Sequence, residues 1–157
     1  MRVLFVCTGN VCRSPMAEAL ARKMLAERQR EDVGVSSAGT AAGDGTPASE
    51  GSYLVGLEAG LDLGEHQAQQ LTADLVADAD LVFGMSWHHV QRAEDLGGAG
   101  KTHLLGTYAG RTGDDADVPD PFGGDLAEYR STYARLLGLL TDAFDRLLTE
   151  HSTDAGG

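Results

Sequence analysis

A chain of 157 residues has the size of one domain with a real hydrophobic core. Twelve basic against twenty-four acidic side chains leave a net charge of −12, which argues against a general binder of nucleic acid or anionic membranes. With no apolar run near the ~20 residues that span a bilayer, no signal-peptide pattern, and only Cys7 and Cys12 as thiols, without zinc-ligand spacing, the expectation is a soluble cytoplasmic protein.

Arg2-Val3-Leu4-Phe5-Val6 is an apolar, β-branched run that reads as a buried parallel strand. Cys7-Thr8-Gly9-Asn10-Val11-Cys12-Arg13 follows as a short loop. Ser14 suits an N-cap and Pro15 the first helical position, so a helix is expected from about Ser14 to Arg30. Ala17, Leu20, Ala21, Met24 and Leu25 fall on one face of it. Asp32 to Ser36 reads as a second strand and Ala38 to Thr46 as a small-residue loop. Thr46 and Pro47 offer the start of a helix ending near Gly60, although Gly51 and Gly56 weigh against it.

Leu61 to Leu71 is irregular, and Thr72 can cap a short helix over Ala73 to Ala77. Asp80 to Gly84 is a third strand, and Ser86 can cap a helix to about Leu96 that Gly97-Gly98 stops. His103 to Leu105 suggests a fourth strand. Gly106 to Gly124 is then a long loop, of a length that is usually functional. Asp125 with Glu128 makes a capping box for a final helix. Its stripe is Leu126, Tyr129, Tyr133, Leu136, Leu137, Leu140, Phe144, Leu147 and Leu148, and both tyrosines read as core. Residues 151–157 read as a loose tail after a single domain over 1–150. Alternating strands and helices give an α/β fold with a parallel sheet and right-handed crossovers.

Chemistry concentrates where the first strand meets the first helix. Free backbone N–H groups and the positive end of the helix dipole make that junction an anion site. They also favour a thiolate at Cys7, as does Arg13 nearby. Arg13 can offer a planar fork to a tetrahedral oxyanion held over Cys7. A nucleophile and a phosphate clamp in one loop describe phosphoryl transfer. The C-x5-R spacing alone is weak, with a buried structural cysteine as the alternative. The frame of strand, glycine and Ser-Pro helix gives it weight.

Asp120 is the second candidate. Phosphate and thiolate charge nearby, and desolvation under the aromatic Phe122, would both favour its protonated form and suit it to general acid–base work. The alternative is a turn residue among the loop acids Asp114, Asp115, Asp117 and Asp125. Cys12 reads as a small buried filler. His88 and His89 project about 100° apart on a helix and do not make a metal pair.

Cys7 to Leu20 resembles the signature loop and first helix of the low-molecular-weight protein tyrosine phosphatase family. The likeness continues through Ser37-Ala38-Gly39-Thr40, Gly60-Leu61-Asp62-Leu63, His66, Gln70-Leu71-Thr72, Ala79 to Val82 and Asp120-Pro121-Phe122. It implies a three-layer α/β/α fold with a four-stranded parallel sheet in flavodoxin-like order. It also implies hydrolysis through a cysteinyl-phosphate intermediate, without metal or cofactor. Catalysis then falls to Cys7, Arg13 and Asp120, and phosphate binding to Thr8, Gly9, Asn10, Val11, Cys12 and Ser14. Ser14 would face Cys7 as well as cap the helix, while Asn10, Ser37 and His66 would hold the loop's shape. Cys12 gains a second reading, a reversible disulfide with Cys7 that shields the nucleophile.

The expected partners are phosphorylated proteins acted on by a monomer. Ala41 and Ala42 stand where tyrosine-specific members usually carry an aromatic, Phe122 where they carry a tyrosine, and Ser86 where they often carry an acid. Thr8 and Phe122-Gly123-Gly124 look more like the protein-arginine phosphatases. Val11 departs from both patterns: arginine-type members have threonine there and tyrosine-type members isoleucine. Phosphotyrosine leads, with phosphoarginine close behind. Arsenate reduction is a lower alternative, since no relay cysteine follows Cys12. An anion-binding or redox module without turnover would leave Asp120 idle.

Overall fold

The computed structural model describes the backbone of residues 1–155 and the side chains of residues 1–150. Of the expected loose tail over 151–157, residues 151–155 continue the last helix and 156–157 lie outside the described residues. Four parallel strands form one sheet: β1 (Arg2–Cys7), β2 (Gly34–Gly39), β3 (Leu81–Gly84) and β4 (Thr102–Leu104). Their order is β2-β1-β3-β4, so the expected flavodoxin-like arrangement is present. Chain direction across the sheet reverses between β1 and β3, and ligand crevices form at that switch beyond the strands' carboxyl ends.

Every residue of β1 after Arg2 is buried, as a central strand covered on both faces requires. Alternate side chains enter two cores. Val3, Phe5 and Cys7 pack with Met16, Ala17 and Leu20 of α1 (Arg13–Glu27) and with Leu136, Leu140 and Phe144 of α6 (Leu126–Ala155). Leu4 and Val6 pack with Val76 of α3 (Ala73–Asp78) and Ala93 of α4 (Trp87–Ala93). The first core also takes Val55 of α2 (Glu50–Glu58) and Leu105 and Tyr108 of α5 (Leu105–Tyr108). The layers are therefore α/β/α.

Several boundaries differ from the sequence reading, each for a local reason. β2 starts two residues late because Arg30 and Asp32 pair across a turn at 2.9 Å and Val33 N–H donates to Arg30 O. α2 is capped by Ser49, whose Oγ accepts from Ser52 N, while Thr46 is spent donating to Gly43 O in a turn. α4 ends at Ala93 and runs into a π-helical turn, Glu94–Gly98, where Gly97 takes φ +105°. The long loop after β4 is partly ordered, with α5 and a 3-10 turn over Gly113–Ala116. Asp125 caps α6 by accepting from Glu128 N at 3.0 Å. Leu126 and Leu137 belong to the expected stripe yet are exposed; Leu139 and Ala143 are buried in the α6 core instead.

Candidate active site

The loop between β1 and α1 is held from outside by its carbonyls. Cys7 O accepts from Thr40 N, Thr8 O from Ala41 N, Val11 O from Ser49 N, and Cys12 O from Ser52 Oγ. Asn10 O accepts from His66 Nε2 at 2.6 Å. A trans peptide points its N–H opposite its C=O. The N–H groups of Thr8, Gly9, Val11, Cys12 and Arg13 therefore turn toward the inside of the loop, the geometry of an anion cup. Gly39 makes this approach possible: a Cβ there would collide with Thr8 O and Asn10 N.

Asn10 is the fastener. It is fully buried and sits at φ +56°, a left-handed conformation that asparagine tolerates better than most residues. Its Nδ2 donates to Ser14 Oγ at 2.8 Å and to Ser37 Oγ at 2.9 Å, and its Oδ1 accepts from Gln69 N. Ser37 passes its own hydrogen to Glu18 Oε1. Ser14 Oγ lies 2.9 Å from Cys7 Sγ. With one lone pair of Ser14 taken by Asn10, its hydrogen is available to a thiolate at Cys7. The expected cap role of Ser14 is not realised: α1 opens one residue earlier, with Cys12 at the N-cap, and Ser14 lies inside the first turn.

Arg13 is 3% exposed, and its guanidinium is clamped on one side. Nη1 donates to Val118 O at 2.9 Å and to Ser86 Oγ at 3.3 Å, and Nη2 to Thr8 Oγ1 at 3.4 Å. Arg13 Nε has no hydrogen-bond partner, and no other buried side-chain nitrogen or oxygen among the described residues is left so. A buried, permanently charged donor in that state is suited to an anion.

Asp120 reaches the same place from the loop before α6, with Oδ2 3.7 Å from Arg13 Nη2. Its Oδ1 also accepts from Phe122 N, the contact that a turn residue makes. The expected desolvation by Phe122 does not occur. Phe122 is 69% exposed and the Asp120 side chain about half exposed. Cys7, Thr8, Gly9, Val11, Cys12, Arg13, Asp120 and Phe122 together line a cavity of about 250 Å³.

Cys12 is a free, buried thiol that donates to Ser49 Oγ at 3.2 Å and lies 3.5 Å from the Tyr129 hydroxyl. Burial holds its pKa above the ordinary value. Tyr129 is core, as expected, but its hydroxyl reaches the loop, a contact that a stripe position does not reveal. Gly51 of α2 admits the Tyr129 ring, where a Cβ would collide with it. Glu18, Ser49, Gln69, Ser86, His89 and Val118 also support the site and were not legible as such. The sequence shows His89 only as half of a histidine pair, and its place three residues after the Ser86 cap, where its ring accepts from Ser86 N, is the usable signal.

Fold and loop together define a cysteine-based phosphatase: a thiol, an amide cup and a buried guanidinium at the switch point of a parallel sheet. The model of the low molecular weight phosphotyrosine protein phosphatases matches residues 2–153. A low-molecular-weight protein-tyrosine-phosphatase of Staphylococcus haemolyticus is 39% identical over 141 residues, covering 89% of this chain and 95% of that one. A protein-arginine-phosphatase of Bacillus subtilis is 39% identical over 140 residues, covering 89% and 92%. The crystal structure of a low-molecular-weight protein tyrosine phosphatase from T. tengcongensis superposes with a TM-score of 0.86 at 36% identity, covering 93% and 99%. The chain belongs to the low-molecular-weight protein-tyrosine-phosphatase family.

Proposed function

We propose that the protein hydrolyses phosphotyrosine in phosphorylated proteins, with Cys7 as nucleophile, Arg13 as clamp and Asp120 as acid and then base. The unpartnered, buried Arg13 Nε beside the inward-turned amides carries this reading. In the first step the Cys7 thiolate attacks phosphorus, the ester bond breaks, and Asp120 gives its proton to the departing phenolate oxygen. In the second, Asp120 takes a proton from water, water attacks phosphocysteine, and the thiolate leaves. Ser14 Oγ, 2.9 Å from Sγ, donates to that thiolate. The amides of Thr8, Gly9, Val11, Cys12 and Arg13 and the Arg13 guanidinium hold the three equatorial oxygens through both steps.

Phosphoarginine is the second reading, favoured by the similarity to a protein-arginine-phosphatase and by the absence of a second aromatic along the cavity wall. The remaining expectations complete the proposal: one domain over 1–150, acting as a monomer in the cytoplasm on phosphoproteins, with Cys12 as a disulfide partner for Cys7. No helix among the described residues is long and apolar enough to cross a membrane.

The test is steady-state kinetics on para-nitrophenyl phosphate and on phosphotyrosine and phosphoarginine peptides. The wild type is expected to cleave para-nitrophenyl phosphate and to favour phosphotyrosine, and Cys7→Ser to be inactive on all three. Turnover by Cys7→Ser at the wild-type rate would refute the mechanism. A higher kcat/KM on phosphoarginine would replace the substrate but not the chemistry.

A further inference from the structure

His89 is completely buried at the start of α4, and both of its ring nitrogens are committed. Nδ1 lies 3.0 Å from Ser86 N, whose N–H it accepts, so Nδ1 carries no hydrogen. Nε2 must then carry the ring's hydrogen, and it sits 2.9 Å from Thr8 Oγ1. The direction of that bond is fixed: imidazole donates and hydroxyl accepts. Arg13 Nη2 donates to the same oxygen from another side at 3.4 Å. A hydroxyl has two lone pairs and one hydrogen. With both lone pairs taken by donors, the Thr8 hydrogen has to point elsewhere. Thr8 is half-buried and lines the cavity with Cys7 and Arg13, so the open direction is the cavity.

We propose that the Thr8 hydroxyl is a side-chain donor to the phosphoryl group of the substrate, aimed by His89 as a positioning residue. This rests on the phosphatase reading of the site. It adds a hydroxyl to the amides and guanidinium already assigned, and it gives a buried histidine a role without proton transfer. His89 is suited to that role because burial, Arg13 and His88 push its pKa down to about 3, so it stays neutral and keeps the same tautomer wherever the enzyme works. An imidazolium there would repel Arg13. The His88 ring lies 4.0 Å away centroid to centroid, tilted 48° to that of His89.

A double-mutant cycle on para-nitrophenyl phosphate, with inorganic phosphate as competitive inhibitor, tests this. Thr8→Val keeps the shape and removes the hydroxyl; it should lower kcat/KM about 10- to 100-fold, the size of one hydrogen bond to a charged group, and weaken phosphate inhibition. Thr8→Ser should recover most of that loss. His89→Leu should cost a similar factor, and His89→Gln, which retains an N–H near the position of Nε2, should rescue part of it. In Thr8→Val the His89 substitutions should add less than about twofold, because the group they act through is gone. Thr8→Val indistinguishable from wild type in both kcat/KM and phosphate inhibition overturns the proposal. So do Thr8 and His89 losses that multiply. If His89→Leu fails to fold, the Thr8→Val and Thr8→Ser pair still decides. Cys7→Ser in the same assay separates the two levels: if it is active, the phosphatase reading has failed rather than this inference.

Discussion

Val11 is the residue on which the proposed substrate preference turns. It lines the cavity beside Cys7 and Arg13 and brings a branched shape without a hydroxyl. Val11→Thr should raise the phosphoarginine-to-phosphotyrosine ratio of kcat/KM by about fivefold, the worth of one net hydrogen bond, and Val11→Ile should lower it. Parallel peptide kinetics check this, and an unchanged ratio in both variants contradicts it. Cys12 makes a different prediction. Its thiol is buried and protonated beside Ser49 and Tyr129, so it suits the resolving partner and not the first sulfur oxidised. After brief peroxide treatment, thiol reductant should restore wild-type activity but not that of Cys12→Ser; equal recovery would remove Cys12 from this role. Cys7, Arg13 and Asp120, which line one cavity, were legible in the sequence because a short loop and an Asp-Pro-aromatic triplet carry them. Gln69, Val118 and Glu18 were not, since they act through a backbone N–H, a carbonyl and a relay that depend on tertiary approach.

At the scale of elements, periodicity located α6 and misplaced part of its buried face. The expected stripe includes Leu137, which is 41% exposed, and omits Leu139 and Ala143, which are buried in the core. Leu140→Ala should therefore cost about 2–5 kcal/mol and Leu137→Ala within about 0.5 kcal/mol. Urea denaturation of the two variants checks this, and comparable losses would contradict the packing. One of the two glycines that weigh against α2 is explained by the same helix: Gly51 gives up helix propensity to admit Tyr129. Propensity is local, whereas the reason for that glycine lies 78 positions along the chain, so no window of sequence displays it. Ser14 fails as a cap for a related reason: its hydroxyl is turned to Cys7 and Asn10 instead. Thr72 caps α3 as its residue type suggests, and Ser49 caps α2 while its Oγ also accepts from Cys12 Sγ.

For the molecule as a whole, a net charge of −12 means that the global field repels a phosphate ester, so binding depends on the local amides and Arg13. Stability should carry the mark of buried His89 and half-buried His103. His89 binds its proton far less readily folded, at about 3, than unfolded, at about 6.5; His103 is shifted in the same direction by burial. Below pH 6.5 the unfolded chain takes up protons that the native state refuses. The contribution is complete above 6.5 and is lost as pH falls toward 3, with a slope of up to about 1.4 kcal/mol per pH unit from His89. Urea titrations between pH 7.5 and 4.5 should show this decline, and His89→Gln should flatten it; an equal slope in the variant contradicts the assignment. The central claim is that Cys7 carries the phosphoryl group between the two steps. Acid-quenched Asp120→Ala, mixed with para-nitrophenyl phosphate and mapped by peptide mass spectrometry, measures it directly. The account predicts phosphate on Cys7, and phosphate on another residue, or turnover with none attached to the protein, would contradict it.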